Sequence, residues 1–376
     1  MSNKNIQSEY VKNCLSTLES LTSEKLKKFR DDGFAEPGCN GPYADHDTPL
    51  RNTAHWCVTL AMLYKWKSDS DYLEIVKIFS EYLMRESHYG TSDAAICRIG
   101  HFNDDTNGVI GQAWLIEGLL ACYDVLGNSQ FVDKAVSVWK AQKYNSGNNS
   151  FGICCSDGRV PCPDITFNHN LWFAAAGAMI LSYKDDPEIK GIIEQFIHGI
   201  PRTLGVQLGG KLYHRNKEKQ TVKGNIRFAL NIFETEFNIG NHKNMNYLES
   251  GYQLFDLFGF ALLKVFWGDD AIFQYSGIKK AIHLGTNMNF IDTLREGYPK
   301  INKYGFPYNS PAFEYPFVAE VLGSGCDEKA ASEFLSYQLE LMRKQTSVIK
   351  DINTLCARAY ELSRYCSLKL NLLKRK

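Results

Sequence analysis

The chain has 376 residues, of which 44% are hydrophobic and 13% are aromatic, and its 42 basic side chains balance 42 acidic ones. This length suits two average domains or one large domain built from repeats, and the apolar fraction is ample for a large core. The aromatic content excludes an intrinsically disordered chain. A formal charge of zero excludes the electrostatic footprint of a general nucleic-acid-binding protein and gives no reason to expect an anionic membrane as partner.

The N-terminal sequence has no apolar core of the kind found in secretory signal peptides. The two most hydrophobic windows, 171–182 and 254–267, are respectively too short and too interrupted by charge to span a bilayer. We therefore expect a cytoplasmic protein that is not inserted in a membrane. A homodimer is compatible with the sequence.

Eleven scattered cysteines predict reduced thiols rather than a disulfide framework. The one cluster to weigh is formed by Cys154, Cys155 and Cys162, which precede His169. A zinc site usually contains a Cys-x-x-Cys knuckle, and none is present here. The sequence therefore predicts neither a metal nor another cofactor.

Two kinds of helical segment alternate along the chain. One kind is amphipathic and is predicted over 7–29, 71–85, 130–143, 187–203, 271–284 and 328–344. The other kind is apolar nearly all round and is predicted over 51–66, 107–126, 168–183, 248–267, 311–322 and 352–370. A helix that is apolar on all sides must be buried, whereas one with a polar face lies at the surface. Six of each kind in strict turn predict an all-α (α/α)6 toroid of six helical hairpins that forms one domain over residues 1–376.

The lengths of the predicted connections differ between the two ends of the toroid. Gly127, Gly268 and Gly323 follow the ends of inner helices, as C-terminal glycines do, and begin short loops. The linkers that lead into inner helices are longer, for example 86–107 and 144–168. Because long loops tend to carry function, the face from which the inner helices start is predicted to be the working face.

One insertion breaks the alternation of helices. Residues 207–223 contain the pair Gly209-Gly210, followed by a Lys-Leu-Tyr-His-Arg run and a Lys-Gln-Thr-Val-Lys run, a pattern that predicts a β-hairpin. The following stretch, 225–236, is either an additional helix or part of the fourth helical hairpin.

Acids, amides, imidazoles and aromatic side chains recur where the inner helices begin. This mixture suits a carbohydrate, because aromatic faces stack on sugar rings, polar groups bind hydroxyls and a pair of carboxyls transfers protons. The candidate substrate-binding residues are Arg51, His55, Gln112, Trp114, Asn168, His169, Tyr252, Glu314 and Tyr315. The candidate catalytic residues are Asp104, Asp105 and Glu249.

Three carboxyls are the candidates for catalysis. Asp105 shares a helical face with Gln112, although an aspartate at this place can equally be the N-cap of the helix. Asp104 stands beside Asp105, and two carboxyls in a dry cleft separate their pKa values, which suits one of them to act as an acid. Glu249 begins an otherwise apolar helix, where an unpaired charge would be costly, but a carboxylate near a helix start also has a structural use.

One guanidinium group and two imidazoles are among the candidates for substrate binding. Arg51 and His55 lie one helical turn apart, so both can face one ligand, and Arg51 suits a substrate carboxylate. The alternative is that Arg51 forms a structural salt bridge with Asp45, Asp47 or Glu314. His169 is either a general base, a ligand of a sugar hydroxyl or a structural group.

The alternation of twelve helices and the segment from Asp105 to Tyr123 (Asp-Thr-Asn-Gly-Val-Ile-Gly-Gln-Ala-Trp-Leu-Ile-Glu-Gly-Leu-Leu-Ala-Cys-Tyr) resemble the six-hairpin glycosidase superfamily. The likeness is to unsaturated glucuronyl hydrolases and N-acylglucosamine epimerases. It implies an (α/α)6 fold and, for the hydrolases, an aspartate that protonates the substrate so that water can add. Asp105 best resembles that aspartate, whereas the hydrolases' second aspartate and the epimerases' paired histidines have no plain counterpart.

Three functions follow as hypotheses. The leading one is a glycoside hydrolase of an acidic or amino-sugar oligosaccharide or polysaccharide, with Asp105 as general acid and Asp104 or Glu249 as base or nucleophile. The second is a sugar epimerase or polysaccharide lyase, with His169 or Tyr252 as base. The third is a non-catalytic scaffold that binds glycans.

Overall fold

The computed structural model describes residues 8–101, 104–217, 221–240, 245–268, 270–295, 302–344 and 349–373. Within these ranges the chain forms sixteen α-helices. They are α1 (Glu9–Ser23), α2 (Leu26–Asp32), α3 (Leu50–Lys67), α4 (Ser70–Leu83), α5 (Gly108–Leu126), α6 (Gln130–Ala141), α7 (Phe167–Leu181), α8 (Pro187–Thr203), α9 (Val222–Glu236), α10 (Met245–Trp267), α11 (Ser276–Gly285), α12 (Met288–Arg295), α13 (Pro311–Val321), α14 (Glu328–Lys344), α15 (Ile352–Ala357) and α16 (Ala359–Lys369).

The apolar helices form a closed inner ring. Helix α3 packs on α5, α5 on α7, α7 on α10, α10 on α13 and α13 on α16, and α16 packs back on α3. These helices are buried along most of their length, because their side chains are apolar on all sides. The predicted (α/α)6 toroid is confirmed.

The amphipathic helices wrap this ring. Helices α4, α6, α8, α11 and α14 each pack on the inner helix that precedes them in the chain. Helix α1 completes the outer layer by packing against α16, α14 and α3. The helix predicted over 7–29 is divided: α1 ends at Ser23, α2 follows it, and residue 7 lies outside the described residues.

Close approach of two inner helices depends on small residues. A Cβ at Gly118 of α5 would lie 2.7 Å from the Cα of Ala54 in α3, which is closer than real Cβ atoms come. Helix α5 is also the one described helix long and apolar enough to cross a membrane by length and composition. In this fold 78% of its most apolar window is buried inside the protein.

Two local predictions need correction. The β-hairpin expected at 207–223 is reduced to a single antiparallel bridge between Val206 and Leu212, because the chain then turns away and Arg215 bridges to Thr166 at the start of α7. Residues 218–220 of that prediction lie outside the described residues. Among the described residues the regular strands are the short antiparallel pair Tyr144–Asn145 and Ser150–Phe151. The stretch 225–236 belongs to an additional helix, α9.

The last inner helix, predicted over 352–370, is interrupted. Helix α15 ends at Ala357 and α16 begins at Ala359, so Arg358 stands at the break between them. This break lies at the same end of the ring as the starts of the other inner helices, because the Arg358 side chain joins their residues in one cavity.

Candidate active site

A cleft of about 180 Å³ opens at the end of the ring where the inner helices start. The loops before α3, α5 and α13, the starts of α5, α7 and α10, the insertion and the break before α16 all contribute to its walls. The lining side chains used below are Tyr43, Asp45, Arg98, Trp114, Asn168, His169, His214, Tyr252, Tyr308 and Arg358. The toroid thus gathers residues that are far apart in sequence.

His169 is held by a buried carboxylate. Its Nδ1 lies 2.8 Å from Oδ2 of Asp164, and the His169 side chain is 25% exposed whereas that of Asp164 is 3% exposed. Burial alone would raise the pKa of Asp164, but the charge and hydrogen bond of His169 and the N–H groups of Thr166 and Val109 outweigh it and lower that pKa. The ionised carboxylate of Asp164 holds the imidazole ring of His169 through Nδ1. The other ring nitrogen, Nε2, has no hydrogen bond to any described residue.

A second imidazole, that of His214, lines the same cleft. Its ring lies 5.1 Å from the ring of Tyr252, and its Nδ1 is buried without a partner among the described residues. Burial, followed by the nearby charge of His169, lowers the pKa of His214 to about 3. His214 is therefore a neutral ring at physiological pH, able to form a hydrogen bond but poorly suited to carry a proton.

Two guanidinium groups line the cleft. Arg358 is almost fully buried and pairs with Glu314 at 2.9 Å and with Glu361 at 2.8 Å. Arg98 lies 3.1 Å from Asp104 and 3.5 Å from Asp45. The Nε of both arginines is buried and has no hydrogen-bond partner among the described residues. Both arginines therefore place positive charge in the wall of the cleft, although each also pairs with two carboxyls.

Tyrosines form one wall of the cleft. The hydroxyl groups of Tyr43 and Tyr252 lie 2.9 Å apart, and the hydroxyl of Tyr308 donates to Oδ1 of Asn40 at 2.6 Å. Burial raises the pKa of Tyr43 and of Tyr252 well above the usual value. Both hydroxyls therefore stay protonated, which argues against the predicted role of Tyr252 as a base. Because both side chains line the cleft, their hydroxyls can donate hydrogen bonds to a ligand there.

The three predicted catalytic carboxyls do not line the cleft. Asp105 accepts hydrogen bonds from the amide and the hydroxyl of Ser156, so its carboxylate holds a neighbouring loop. Asp104 accepts from the N–H of Gly108 at 2.6 Å and pairs with Arg98, so it is Asp104 rather than Asp105 that binds the start of α5. Burial raises the pKa of Asp104, although the Gly108 N–H and Arg98 oppose this.

Glu249, the third of these carboxyls, is buried behind the insertion. It accepts hydrogen bonds from the side chain of Gln207 and from the N–H of His214. Burial raises the pKa of Glu249 to about 8. These contacts connect α10 to the segment that carries His214, so Glu249 positions that segment.

Several predicted substrate ligands are instead buried in the ring. Gln112 binds the backbone of Ala95 and Thr106 and so fixes the loop before α5. His55 stacks on Tyr360 with ring centroids 4.2 Å apart, and burial lowers its pKa well below the usual value. Because it lies one turn deeper than Arg51, His55 is enclosed by the core and does not line the cleft.

Arg51 takes the structural alternative that the sequence left open. Its Nη1 donates to Asp47 at 3.3 Å and to Asn40 at 3.1 Å, and its guanidinium lies 4.1 Å from the ring centroid of Trp114. Arg51 thus supports Trp114, which does line the cleft as predicted.

Asn168, His169 and Tyr252 also line the cleft as predicted. The Asn168 amide donates to Asp256 at 2.9 Å. Glu314 is fully buried and reaches the cleft only through Arg358. Tyr315 does not line it: its hydroxyl accepts the N–H of Asp327 at the start of α14, so this side chain points outward from the ring.

The cysteines give no sign of a shared role. Cys154 and Cys155 are buried, Cys162 is exposed, and all three carry reduced thiols. Among the described residues no group of three or more His, Cys, Asp or Glu side chains is arranged to hold a metal ion.

Comparison with known proteins places this geometry in context. No known family profile matches the chain. Over 364 residues, which cover 92% of this chain and 96% of the relative, it is 25% identical to the archaeal glycosylation protein Q of Haloferax volcanii.

Two solved structures share the architecture. The unsaturated glucuronyl hydrolase of Bacillus sp. GL1, described as responsible for degradation of glycosaminoglycan, has a TM-score of 0.58 at 13% identity, with coverage of 95% of this chain and 96% of that chain. The cellobiose 2-epimerase of Spirochaeta thermophila has a TM-score of 0.59 at 11% identity, with coverage of 97% and 100%. The chain has the six-hairpin glycosidase fold.

Within this six-hairpin fold, sequence reasoning missed six of the ten lining residues named above, and also the carboxyl that holds His169. The six are Tyr43, Asp45, Arg98, His214, Tyr308 and Arg358, and the carboxyl is that of Asp164. A signal existed for Arg358, because it is a charged residue in a segment predicted to be a buried inner helix and therefore needed a partner. The others lie in loops, where no periodicity indicates the direction of a side chain.

Proposed function

We propose that this protein is a carbohydrate-active enzyme that transfers a proton at a carbon of an acidic sugar within a glycan, with His169 as the base. The observation that carries this proposal is the orientation of His169 by the buried Asp164 at the cleft. This is the second of the three functions inferred from the sequence, and its reaction class is epimerisation or elimination. The likeness to a glycosylation protein and to the fold of sugar-processing enzymes supports a carbohydrate substrate.

The basic groups of the cleft support an acidic sugar. Arg98 and Arg358 both line the cleft, and a carboxylate accepts guanidinium N–H groups in a planar, charge-assisted arrangement. The carbon next to a carboxylate loses its proton more readily when the negative charge that develops there is stabilised by nearby cations. The same arginines would therefore hold the substrate and stabilise the anion that forms.

The proposed reaction needs one base and one donor. His169 accepts the proton at Nε2, while Asp164 stabilises the imidazolium that results. For epimerisation the carbanion takes up a proton from another group, and the protonated hydroxyls of Tyr43 and Tyr252 are available beside it. For elimination the electron pair instead expels the substituent on the adjacent carbon and leaves a double bond.

Exchange of the abstracted proton with solvent tests the proposal. The protein is incubated in D2O with a panel of uronate-containing oligosaccharides, and deuterium next to the carboxylate, or a new double bond, is detected by NMR and mass spectrometry. We expect His169→Gln to reduce the rate by about 10²- to 10⁴-fold, since it removes a positioned general base. The matched variant His283→Gln, on the outer helix α11, should retain the full rate. Exchange by His169→Gln at the wild-type rate would refute the proposal.

Hydrolysis is a second candidate because Asp104, although it does not line the cleft, pairs at 3.1 Å with Arg98, which does, and because burial raises the pKa of Asp104, as suits a general acid. Release of new reducing ends, lost in Asp104→Asn, would favour it over proton abstraction. Asp105→Asn distinguishes two roles of Asp105. If Asp105 is the general acid of a hydrolase, the variant loses turnover. If its carboxylate only holds Ser156, the variant keeps most of its turnover.

A further inference from the structure

Helix α9 carries an apolar stripe that the rest of the chain leaves uncovered. Its members and the residue just past its end have the exposed fractions Val222 77%, Ile226 58%, Leu230 54%, Phe233 52% and Phe237 54%. The rings of Phe233 and Phe237 lie 4.6 Å apart, so the stripe is continuous at this end. A contiguous patch of large apolar side chains on a folded protein marks an interaction surface.

The stripe lies opposite the face by which α9 binds its own chain. Phe228 packs on Tyr213 with ring centroids 5.6 Å apart, and Ile232 and Phe228 both approach Gly205. The exposed residues Ile226, Leu230, Phe233 and Phe237 follow one another at intervals of four, three and four residues. This is the spacing of a and d positions in a heptad, which forms the narrow seam of a two-helix coiled coil.

We propose that a second copy of this chain covers the stripe, with the two α9 helices antiparallel about a two-fold axis. In this register Ile226 faces Phe237 of the second copy and Leu230 faces Phe233 of the second copy, and the symmetry repeats both layers. A two-fold interface is self-complementary, so one stripe supplies both sides.

The charges beside the stripe support this occupant. Arg227 and Glu234 each follow a d position, on the same flank of the seam. In an antiparallel pair these positions face each other across the interface, so Arg227 meets Glu234 of the second copy twice. Helix α9 carries two basic and two acidic side chains, the others being Lys223 and Glu236, and so lacks the cationic excess of a helix that binds an anionic membrane.

The size of the patch is compatible with a weak or moderate dimer. Five large side chains that are at least half exposed offer roughly several hundred Å² per copy. The exposed Leu208 and Ile239 add area near the C-terminal end of α9, where the N–H of Leu208 donates to Glu236. A standard interface buries about 800 Å² per partner. The seam alone approaches this area, so association should depend on protein concentration.

The mass of the full chain in solution tests the proposal. Light scattering after size exclusion, over a dilution series, should give twice the mass of one chain at high concentration. Leu230→Glu places a charge in a central layer of the seam and should give a monomer with unchanged circular dichroism, because this side chain is half exposed in one copy. Val160→Glu, an exposed apolar residue away from α9, is the matched control and should remain a dimer.

Charge reversal then identifies the partner and its direction. Arg227→Glu and Glu234→Arg each place like charges across the two-fold axis and should raise the dissociation constant by on the order of tenfold. The double variant restores opposite charges and should return the constant towards the wild-type value. A monomer at all concentrations, a dimer that is insensitive to Leu230→Glu, or a monomer that binds phosphatidylglycerol vesicles through α9 would overturn the proposal.

Discussion

At the scale of single residues, the cleft depends on groups that act through their neighbours. Asp164 does not line the cleft, yet it accepts from His169, Val109 and Thr166 and so fixes both the imidazole and the loop that carries it. Asp164 therefore contributes in two ways, by positioning His169 and by placing a negative charge beside it. A variant that keeps the shape of the side chain but removes its charge tests the contribution of the charge.

Asp164→Asn should lower kcat by about 10²-fold or more with a small effect on KM, because the imidazolium formed at His169 loses its counter-charge. Steady-state kinetics on the substrate found by the exchange assay measures this split. Asp157→Asn, an exposed carboxyl paired with Arg159 in the neighbouring loop, is the control and should leave both constants unchanged. An equal loss in both variants would contradict the assignment.

Glu249 makes a prediction about stability and pH. Burial raises its pKa from 4.5 to about 8, so between these values the folded chain binds more protons than the unfolded chain. The free energy of unfolding therefore falls as the pH rises through this window, by up to about 1.4 kcal/mol per pH unit for one proton, and levels off above it. Glu249→Gln should remove this part of the slope.

Urea unfolding of wild type and Glu249→Gln at a series of pH values measures the difference between the two slopes. The new amide can donate to Oε1 of Gln207, which is buried without a partner, so the variant should fold. Asp256, whose pKa burial also raises to about 8, keeps its own share of the slope in both proteins. Parallel slopes would mean that Glu249 is ionised in the folded chain throughout.

At the scale of elements, the inner ring depends on how closely its helices approach. The contact of α5 with α3 at Gly118 and Ala54 has no room for a methyl group. Gly118→Ala should therefore lower the free energy of unfolding by about 1–3 kcal/mol, even though alanine favours a helix.

Gly191 in α8 is the matched position for this test, because a Cβ there meets no other atom within 4 Å. Gly191→Ala should raise the stability by about 0.5–1 kcal/mol through the lower entropy of the unfolded chain. Chemical denaturation measures the free energy of unfolding of both variants and of the wild type. If both substitutions stabilise the protein, the two helices can separate without cost and the packing argument fails.

Helix periodicity predicted the elements well but not the rotation of each helix. The starts and ends of α8 and α14 agree with the sequence prediction at both termini. The side chains of Gln112 and Tyr315 nevertheless point away from the cleft, because a ring helix is surrounded by protein on every side. An all-round apolar pattern contains no information about which side faces the ligand.

At the scale of the whole molecule, a buried ion pair joins two inner helices that are not neighbours in the ring. Glu117 of α5 lies 2.7 Å from Arg364 of α16, although α3 stands between these two helices in the ring. Burial raises the pKa of Glu117, and Arg364 opposes this. The pair joins early and late parts of the chain at the end opposite the cleft.

Arg364→Met should destabilise the protein by about 3–5 kcal/mol, because it leaves the Glu117 carboxyl buried without its cation. The double variant Glu117→Leu/Arg364→Met should recover most of this loss. Arg159→Met, which breaks an exposed pair, is the control and should change the stability by less than about 1 kcal/mol. Thermal or chemical unfolding of these variants, of the single variant Glu117→Leu and of the wild type measures the effects, and additive losses in the double variant would show that the two side chains are not coupled.

The sequence by itself determined the architecture, because the 3.6-residue period and the burial of each helix are local properties that add up to a double ring. It also predicted the end of the ring at which the cleft lies, since loop lengths differ between the two ends. Only the tertiary structure decided the composition of the cleft. It joined Asp164 to His169, turned Asp105 to Ser156 and brought Arg358 from the last inner helix. The physical reason is that these contacts depend on helix rotation and loop paths, which the closure of the ring sets and no local pattern encodes.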